Sequence, residues 1–288
     1  MHPVARAAMR WYDEHARDLP WRRPGTTPWA VLVSEVMLQQ TPVARVLPAY
    51  QAWLDRWPTP AALAAVPSGA AVTQWGRLGY PRRALHLHAA ACTMVARHGG
   101  RVPTALDDLL GLPGVGPYTA RAVAALAHGQ RHPFIDTNVR RVVARAVHGR
   151  PRTSGMLPAA ELADVAALLP RSPRAAARCG SALMEFGARV CTARAPRCAS
   201  CPLRRRCAWR AAAYPPDTTP RRRPEWTGSD RQARGVLLAA VRDAARDVAA
   251  DELALLWPDA EQCRRALASL VADGLIVGVG ETAFALPG

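Results

Sequence analysis

Two carboxylates and one run of cysteines carry the clearest chemical potential in this 288-residue sequence. Glu35 lies in SEVMLQQT, inside a stretch that is otherwise mostly apolar and spaced like a helix. Poor solvation there disfavours the charged form, raises the carboxyl pKa and suits a proton donor, while an exposed or cap-region glutamate is the plainer reading. Asp136, in FIDTNVRRV, precedes a basic segment of helical pattern, where N-capping alone would account for an aspartate. Breaking an N-glycosidic bond needs a proton for the departing base and a negative charge beside the cationic sugar, which one neutral and one ionised carboxyl can supply. Glu35 and Asp136 suit those tasks in that order.

Cys191, Cys198, Cys201 and Cys207 are spaced C-x6-C-x2-C-x5-C, whereas Cys92, Cys179 and Cys263 stand apart and read as small buried hydrophobes. Four thiols so close in sequence point to a metal, and ligand type alone does not separate zinc from iron-sulfur. Structural zinc sites usually pair two CxxC knuckles. This run has one knuckle flanked by longer loops, which leans toward iron-sulfur and leaves zinc open.

A third signal is LPGVGPYTA, residues 112 to 120, between a short helical segment and a longer one. Gly114 and Gly116 let the backbone turn tightly, and amides at the start of the following helix can face a DNA phosphate. A plain helical hairpin gives the same pattern.

Taken together, these segments resemble the endonuclease III and MutY branch of the helix-hairpin-helix DNA glycosylases over most of residues 10 to 210. The cysteine spacing is that of the branch's cluster loop, so the resemblance implies a 4Fe-4S cluster on Cys191, Cys198, Cys201 and Cys207. SEVMLQQT is similar to the motif whose Glu protonates adenine, and D-x-N-V-x-R-V to the motif whose Asp stabilises the oxocarbenium-like sugar. The resemblance thus gives Glu35 and Asp136 those roles and makes Asn138 the residue that orients the catalytic water or acid. Gln40 and Tyr80 would insert into the base stack beside the opposite lesion base, while Trp21, Arg22 and Leu38 would line the adenine pocket. Endonuclease III-like lyases carry Lys where this chain has Tyr118, the fourth member of the expected catalytic set. All 38 basic residues are Arg, so a lysine Schiff base is ruled out anywhere in the chain. The expected reaction is monofunctional hydrolysis of adenine mispaired with 8-oxoguanine or guanine. Two departures stand out: Pro81 replaces a common Tyr, and the segment after the linker shows no match to a MutT-like domain.

Apolar residues at spacings of three and four predict an all-α body, with helices near 3–16, 28–40, 43–56, 59–65, 69–75, 82–98, 104–111, 117–129, 137–148, 159–169 and 173–188. No convincing strand is expected before residue 274. The catalytic body is read as 1–213, with a helical barrel and hairpin over about 25–133 and a cluster domain from 1–24 and 134–213. Prolines and arginines at 214–228 read as a linker, and 229–288 as a small winged-helix-like module of helices followed by two short strands.

The net charge of +16 is uneven: residues 1–224 carry 32 Arg against 12 acids, residues 225–288 carry 6 Arg against 10. A basic body suits double-stranded DNA, with Arg82-Arg83, Arg140-Arg141 and Arg204 to Arg206 as candidate phosphate contacts, Arg140 foremost. The acidic tail argues against strong phosphate contact and for docking on the body or on a protein partner. With no apolar leader or membrane-length run, a monomeric cytoplasmic protein is expected, with no membrane contact. Two rivals remain: a thymine or uracil mismatch glycosylase, and a non-catalytic iron-sulfur DNA-binding regulator that would need neither Glu35 nor Asp136.

Overall fold

The computed structural model describes residues 1–151, 159–217, 225–244 and 246–288. In chain order the helices are α1 (Pro3–His15), α2 (Pro28–Met37), α3 (Val43–Arg56), α4 (Pro60–Ala64), α5 (Ser68–Trp75), α6 (Arg82–His98), α7 (Leu106–Leu110), α8 (Pro117–Leu126), α9 (Thr137–Ala146), α10 (Ala159–Leu168), α11 (Pro173–Arg189), α12 (Ala208–Ala211) and α13 (Asp230–Ala244). Strand β1 (Val248–Ala249), α14 (Ala250–Ala254), α15 (Ala260–Ala272), β2 (Val277–Val279) and β3 (Ala283–Ala285) complete the chain, and single 3-10 turns lie at Pro20–Arg22 and Arg204–Arg206. Proline is the first residue of α1, α2, α4, α8 and α11, where its missing N–H costs nothing and its φ is already helical.

Contacts divide the chain into two units, residues 1–32, 104–110 and 115–220 in one and residues 33–103, 111–114 and 221–288 in the other. In the first, α9 and α1 pack on α11 around Val4, Ala8, Val139, Val142, Leu183 and Phe186. Gly187 makes this packing possible: a Cβ there would lie 2.6 Å from the Asn138 carbonyl oxygen, so α11 can approach α9 only through a residue without a side chain.

In the second unit α4 and α5 pack on α6, and Trp53 meets Trp57 and Trp75 edge-on at centroid separations of 4.7 and 5.6 Å. The acidic C-terminal segment is part of this unit. Its core of Leu237, Leu253, Leu270, Leu275 and Ile276 is continuous with Val72 of α5 and Leu85 of α6. Polar ties reinforce that packing: the Gly69 amide donates to the Pro287 carbonyl at 2.8 Å, Arg242 donates to the Gly76 carbonyl at 2.9 Å, and Arg82 pairs with Asp273 at 3.3 Å.

The all-α reading of the body holds, and the segment after it ends in a three-stranded antiparallel sheet of order β1-β3-β2. The expectation of no strand before residue 274 is corrected by β1, whose Val248 pairs with Phe284. Two residues are too short to show alternation, and β1 exists only because β3 returns to bond it. The helix expected over 28–40 stops at Met37, for a reason 46 residues away that concerns the site. The linker read over 214–228 falls in part, at residues 218–224, outside the described residues.

Candidate active site and cysteine pocket

Asp136 is the N-cap of α9, and all of its observed hydrogen bonds are accepted ones. One oxygen takes the backbone N–H of Asn138 at 2.9 Å and of Val139 at 2.7 Å, while the other takes the Asn138 side-chain amide at 2.6 Å. An acceptor-only pattern suits a carboxylate. Burial nevertheless pushes the Asp136 pKa above the usual value, against the pull of those three donors and of the Arg141 charge.

Asn138 is held in turn. Its carbonyl accepts from Arg141 at 2.6 Å, and Arg141 also donates to the carbonyls of Gly187 and Cys191, both at 2.6 Å. A continuous chain of hydrogen bonds therefore runs from Asp136 through Asn138 and Arg141 to the first cysteine of the run. Asn138 is thereby engaged with Asp136 itself, a sharper position than its sequence motif indicated. Tyr118, in the first turn of α8, is half-buried against Phe134 and Met184, its hydroxyl donating weakly to the Met184 sulfur at 3.8 Å.

Glu35 is 4% exposed, a buried acid in α2 between Ser34 and Val36, which are buried too. Beyond the end of that helix, Leu38 is half-buried and Gln40 is exposed with φ of 54°. Tyr80, 49% exposed, has φ of 49°. Arg83, read in sequence as a phosphate contact, is instead 7% exposed and donates to the carbonyls of Val36, Met37 and Gln39 at 2.9, 2.8 and 2.6 Å. Its guanidinium satisfies the carbonyls a helix end leaves over, which is what stops α2 at Met37.

The other arginine clusters need similar revision. Arg82 is paired with Asp273, Arg140 with Glu161 at 2.7 Å, and Arg141 is spent on the chain just described. Arg204 to Arg206 remain exposed. Gly114 and Gly116 also differ: Gly114 has φ of 74° and a Cβ there would lie 2.5 Å from the His86 Cβ, while Gly116 is an extended N-cap of α8 with open space beside it.

Trp21 is buried, at 8% exposure. Arg22 donates to Glu185 at 3.0 Å, and Arg17 grips the same carboxylate through both oxygens at 2.6 and 2.8 Å. Burial alone would raise the Glu185 pKa, but the Arg17 hydrogen bond and the two positive charges hold it below the usual range. Sequence reasoning missed Glu185, whose only local signal is a lone acid on the buried face of α11.

The four cysteines line one pocket with Val142, Phe186, Val190, Leu203 and Trp209, its polar wall supplied by Arg145 and Arg197. Among the described residues no group of three or more His, Cys, Asp or Glu side chains is placed to hold a metal ion. Burial raises the thiol pKa of Cys191 and Cys198 and pushes that of Cys201 up to about 11. A cationic group entering the pocket would have to displace those protons. The donor set, four thiols on one apolar pocket with an arginine beside them, fits an iron-sulfur group. Arg145, also absent from the sequence reading, donates to the carbonyls of Pro151, Thr192 and Ala193 at 3.0, 2.7 and 3.2 Å and lies 4.4 Å over the Trp209 ring.

Residues 33–162 match the model of the HhH-GPD superfamily base excision DNA repair proteins. The sequence is 52% identical over 282 residues to the adenine DNA glycosylase of Mycobacterium tuberculosis (strain ATCC 25618 / H37Rv), covering 97% of this chain and 92% of that one. With the adenine DNA glycosylase of Mycolicibacterium smegmatis (strain ATCC 700084 / mc(2)155) the identity is 50% over 283 residues, 97% of this chain and 94% of the other. Among solved structures, a thermostable thymine-DNA glycosylase aligns with a TM-score of 0.67 and 26% identity over 72% of this chain and 95% of its own. No helix among the described residues is long and apolar enough to cross a membrane.

Proposed function

Since the chain belongs to the adenine DNA glycosylase family of the HhH-GPD base excision DNA repair proteins, we propose that it hydrolyses the N-glycosidic bond of adenine mispaired with 8-oxoguanine or guanine in double-stranded DNA. The observation that carries this reading is Asp136, a half-buried N-cap whose hydrogen bonds are all accepted, as a group facing a cationic sugar must be. Glu35, buried in α2, delivers the proton to the departing adenine. Asn138 fixes the carboxylate of Asp136 for that task. Trp21, Arg22 and Leu38 are the residues we assign to holding the extruded base, which needs an apolar, stacking environment. Gln40 and Tyr80 fill the stack beside the base opposite.

No Lys exists to form a Schiff base, so the product is an abasic site without strand cleavage. Cys191, Cys198, Cys201 and Cys207 would hold a 4Fe-4S cluster, which when bound ties the loop into one rigid body and contributes no group to hydrolysis. Arg204 to Arg206, on that loop, contact phosphates together with the amides after Gly114 and Gly116. We assign the work to a monomer in the cytoplasm.

The test uses labelled duplexes with A opposite 8-oxoguanine, A opposite G, or T opposite G, each treated with alkali after incubation. Strand breaks at A in the first two are expected, none of them before alkali, and Glu35→Gln should bind DNA but release no adenine. Breaks only at T would establish the thymine reading, which the fold of the solved thymine-DNA glycosylase favours as the alternative.

A further inference from the structure

Gln40 and Tyr80 are the described residues of the second unit, other than glycine, with positive φ, at 54° and 49°. Such a conformation is strained for side chains of this kind and persists where the surroundings over-determine it. Here both turns are held by one side chain. Arg83, in the first turn of α6, donates to the carbonyls of Val36, Met37 and Gln39 and to the Thr41 hydroxyl at 2.9 Å, which fixes the backbone on either side of Gln40. The same guanidinium donates to the Gly79 carbonyl at 2.8 Å and to the Tyr80 carbonyl at 3.4 Å. It lies 5.0 Å from the Trp75 ring centroid and 5.4 Å from that of Tyr80.

These acceptors come from the end of α2 with the turn after it and from the turn before α6, some forty residues apart in sequence, and they are neutral. A buried charge satisfied only by carbonyls and a hydroxyl is costly to keep, and a plain helix cap would need fewer of them. The planar fork of an arginine reaches several acceptors in fixed directions, whereas a lysine ammonium is a single point.

We propose that Arg83 is a positioning residue that presets the Gln40 and Tyr80 turns as one rigid wedge, so that both side chains enter the base stack together when adenine is extruded. This rests on the role given to Gln40 and Tyr80 above. It also assigns the order in which the wedge is assembled: the turns are built before DNA arrives, and no ordering of the two loops has to be completed on the duplex.

The test compares the full-length protein with Arg83→Lys on two duplexes in single-turnover experiments. One carries adenine opposite 8-oxoguanine. The other carries adenine opposite a tetrahydrofuran abasic analogue, where the opposite strand has no base to be displaced. Arg83→Lys should lose about ten- to a hundredfold in rate on the first, with a blunted 2-aminopurine signal for base extrusion, and far less on the second. A structural defect would slow both alike, so equal loss, or no loss, overturns the proposal. Should Arg83→Lys fail to fold, Thr41→Val removes one of the ties at nearly constant volume: a smaller loss confined to the first duplex supports the wedge, and none overturns it. If the unmodified protein releases adenine from neither duplex, the glycosylase reading falls and takes the wedge with it, whereas normal release with unselective loss removes the wedge alone.

Discussion

Asn138 donates its side-chain amide to the Asp136 carboxylate at 2.6 Å while its backbone N–H donates to the other oxygen of the same group. One residue thus contacts both oxygens of the carboxylate proposed to face the sugar, and it does so from the turn that Asp136 itself caps.

Because burial holds the Asp136 pKa above the ordinary carboxylate value, the rate of adenine release should fall on acidification at a higher pH than an exposed Asp would give. Asn138→Ala deletes a donor to the charged form and should move that acid limb further up. The linkage has the same origin. Between the unfolded and the raised folded pKa the native state keeps a proton that the unfolded chain releases, so this group's contribution to stability is complete below the unfolded pKa and is lost as pH rises through the folded one. Single-turnover pH profiles of both proteins check the shift, and an unchanged acid limb in Asn138→Ala would count against it.

Glu185 carries the opposite sign. Its carboxylate is fully buried between Arg17 and Arg22, so Glu185→Ala strands two cations and should cost about 3 kcal/mol. Its lowered pKa means the ion pairs stabilise the fold above the unfolded carboxylate pKa and are lost as pH falls through the folded one. Urea titrations at neutral and acid pH should show the variant's deficit shrinking with acidification.

At the cysteine pocket, Arg145→Ala removes donors to Pro151, Thr192 and Ala193 and the face that stacks on Trp209. Anaerobically purified protein should contain iron and acid-labile sulfide and absorb at the violet edge of the visible range, and the variant should lose a large part of both. Cys198→Ala should lose nearly all. Stoichiometric zinc in place of iron in the unmodified protein would refute the cluster assignment.

A Cβ on residue 69 would lie 2.4 Å from the Pro287 carbonyl oxygen, closer than any contact allows. Gly69→Ala should therefore cost about 1 to 3 kcal/mol and free the last strand from α5. Faster hydrogen exchange at 283–286 with unchanged exchange in α9 is the expected pattern.

Helix starts were legible where proline, or an Asp such as Asp136 before a basic amphipathic run, marks them locally. The end of α2 was not, because the group that terminates it belongs to α6 and becomes visible only when the chain has folded. The same reason hid Glu185 and Arg145: each is an ordinary charged residue until a distant partner arrives. Charge runs were harder to read for the converse cause, since a pair such as Arg82-Arg83 or Arg140-Arg141 offers itself in sequence as a phosphate contact while each member has its own partner within the fold. β1 was missed because a two-residue strand has no pattern of its own.

The apolar seam that joins Val72 and Leu85 to the C-terminal core does not run through the backbone between residues 217 and 225. Residues 1–217 and 225–288, expressed as separate polypeptides, should therefore associate through that seam and co-purify as a heterodimer.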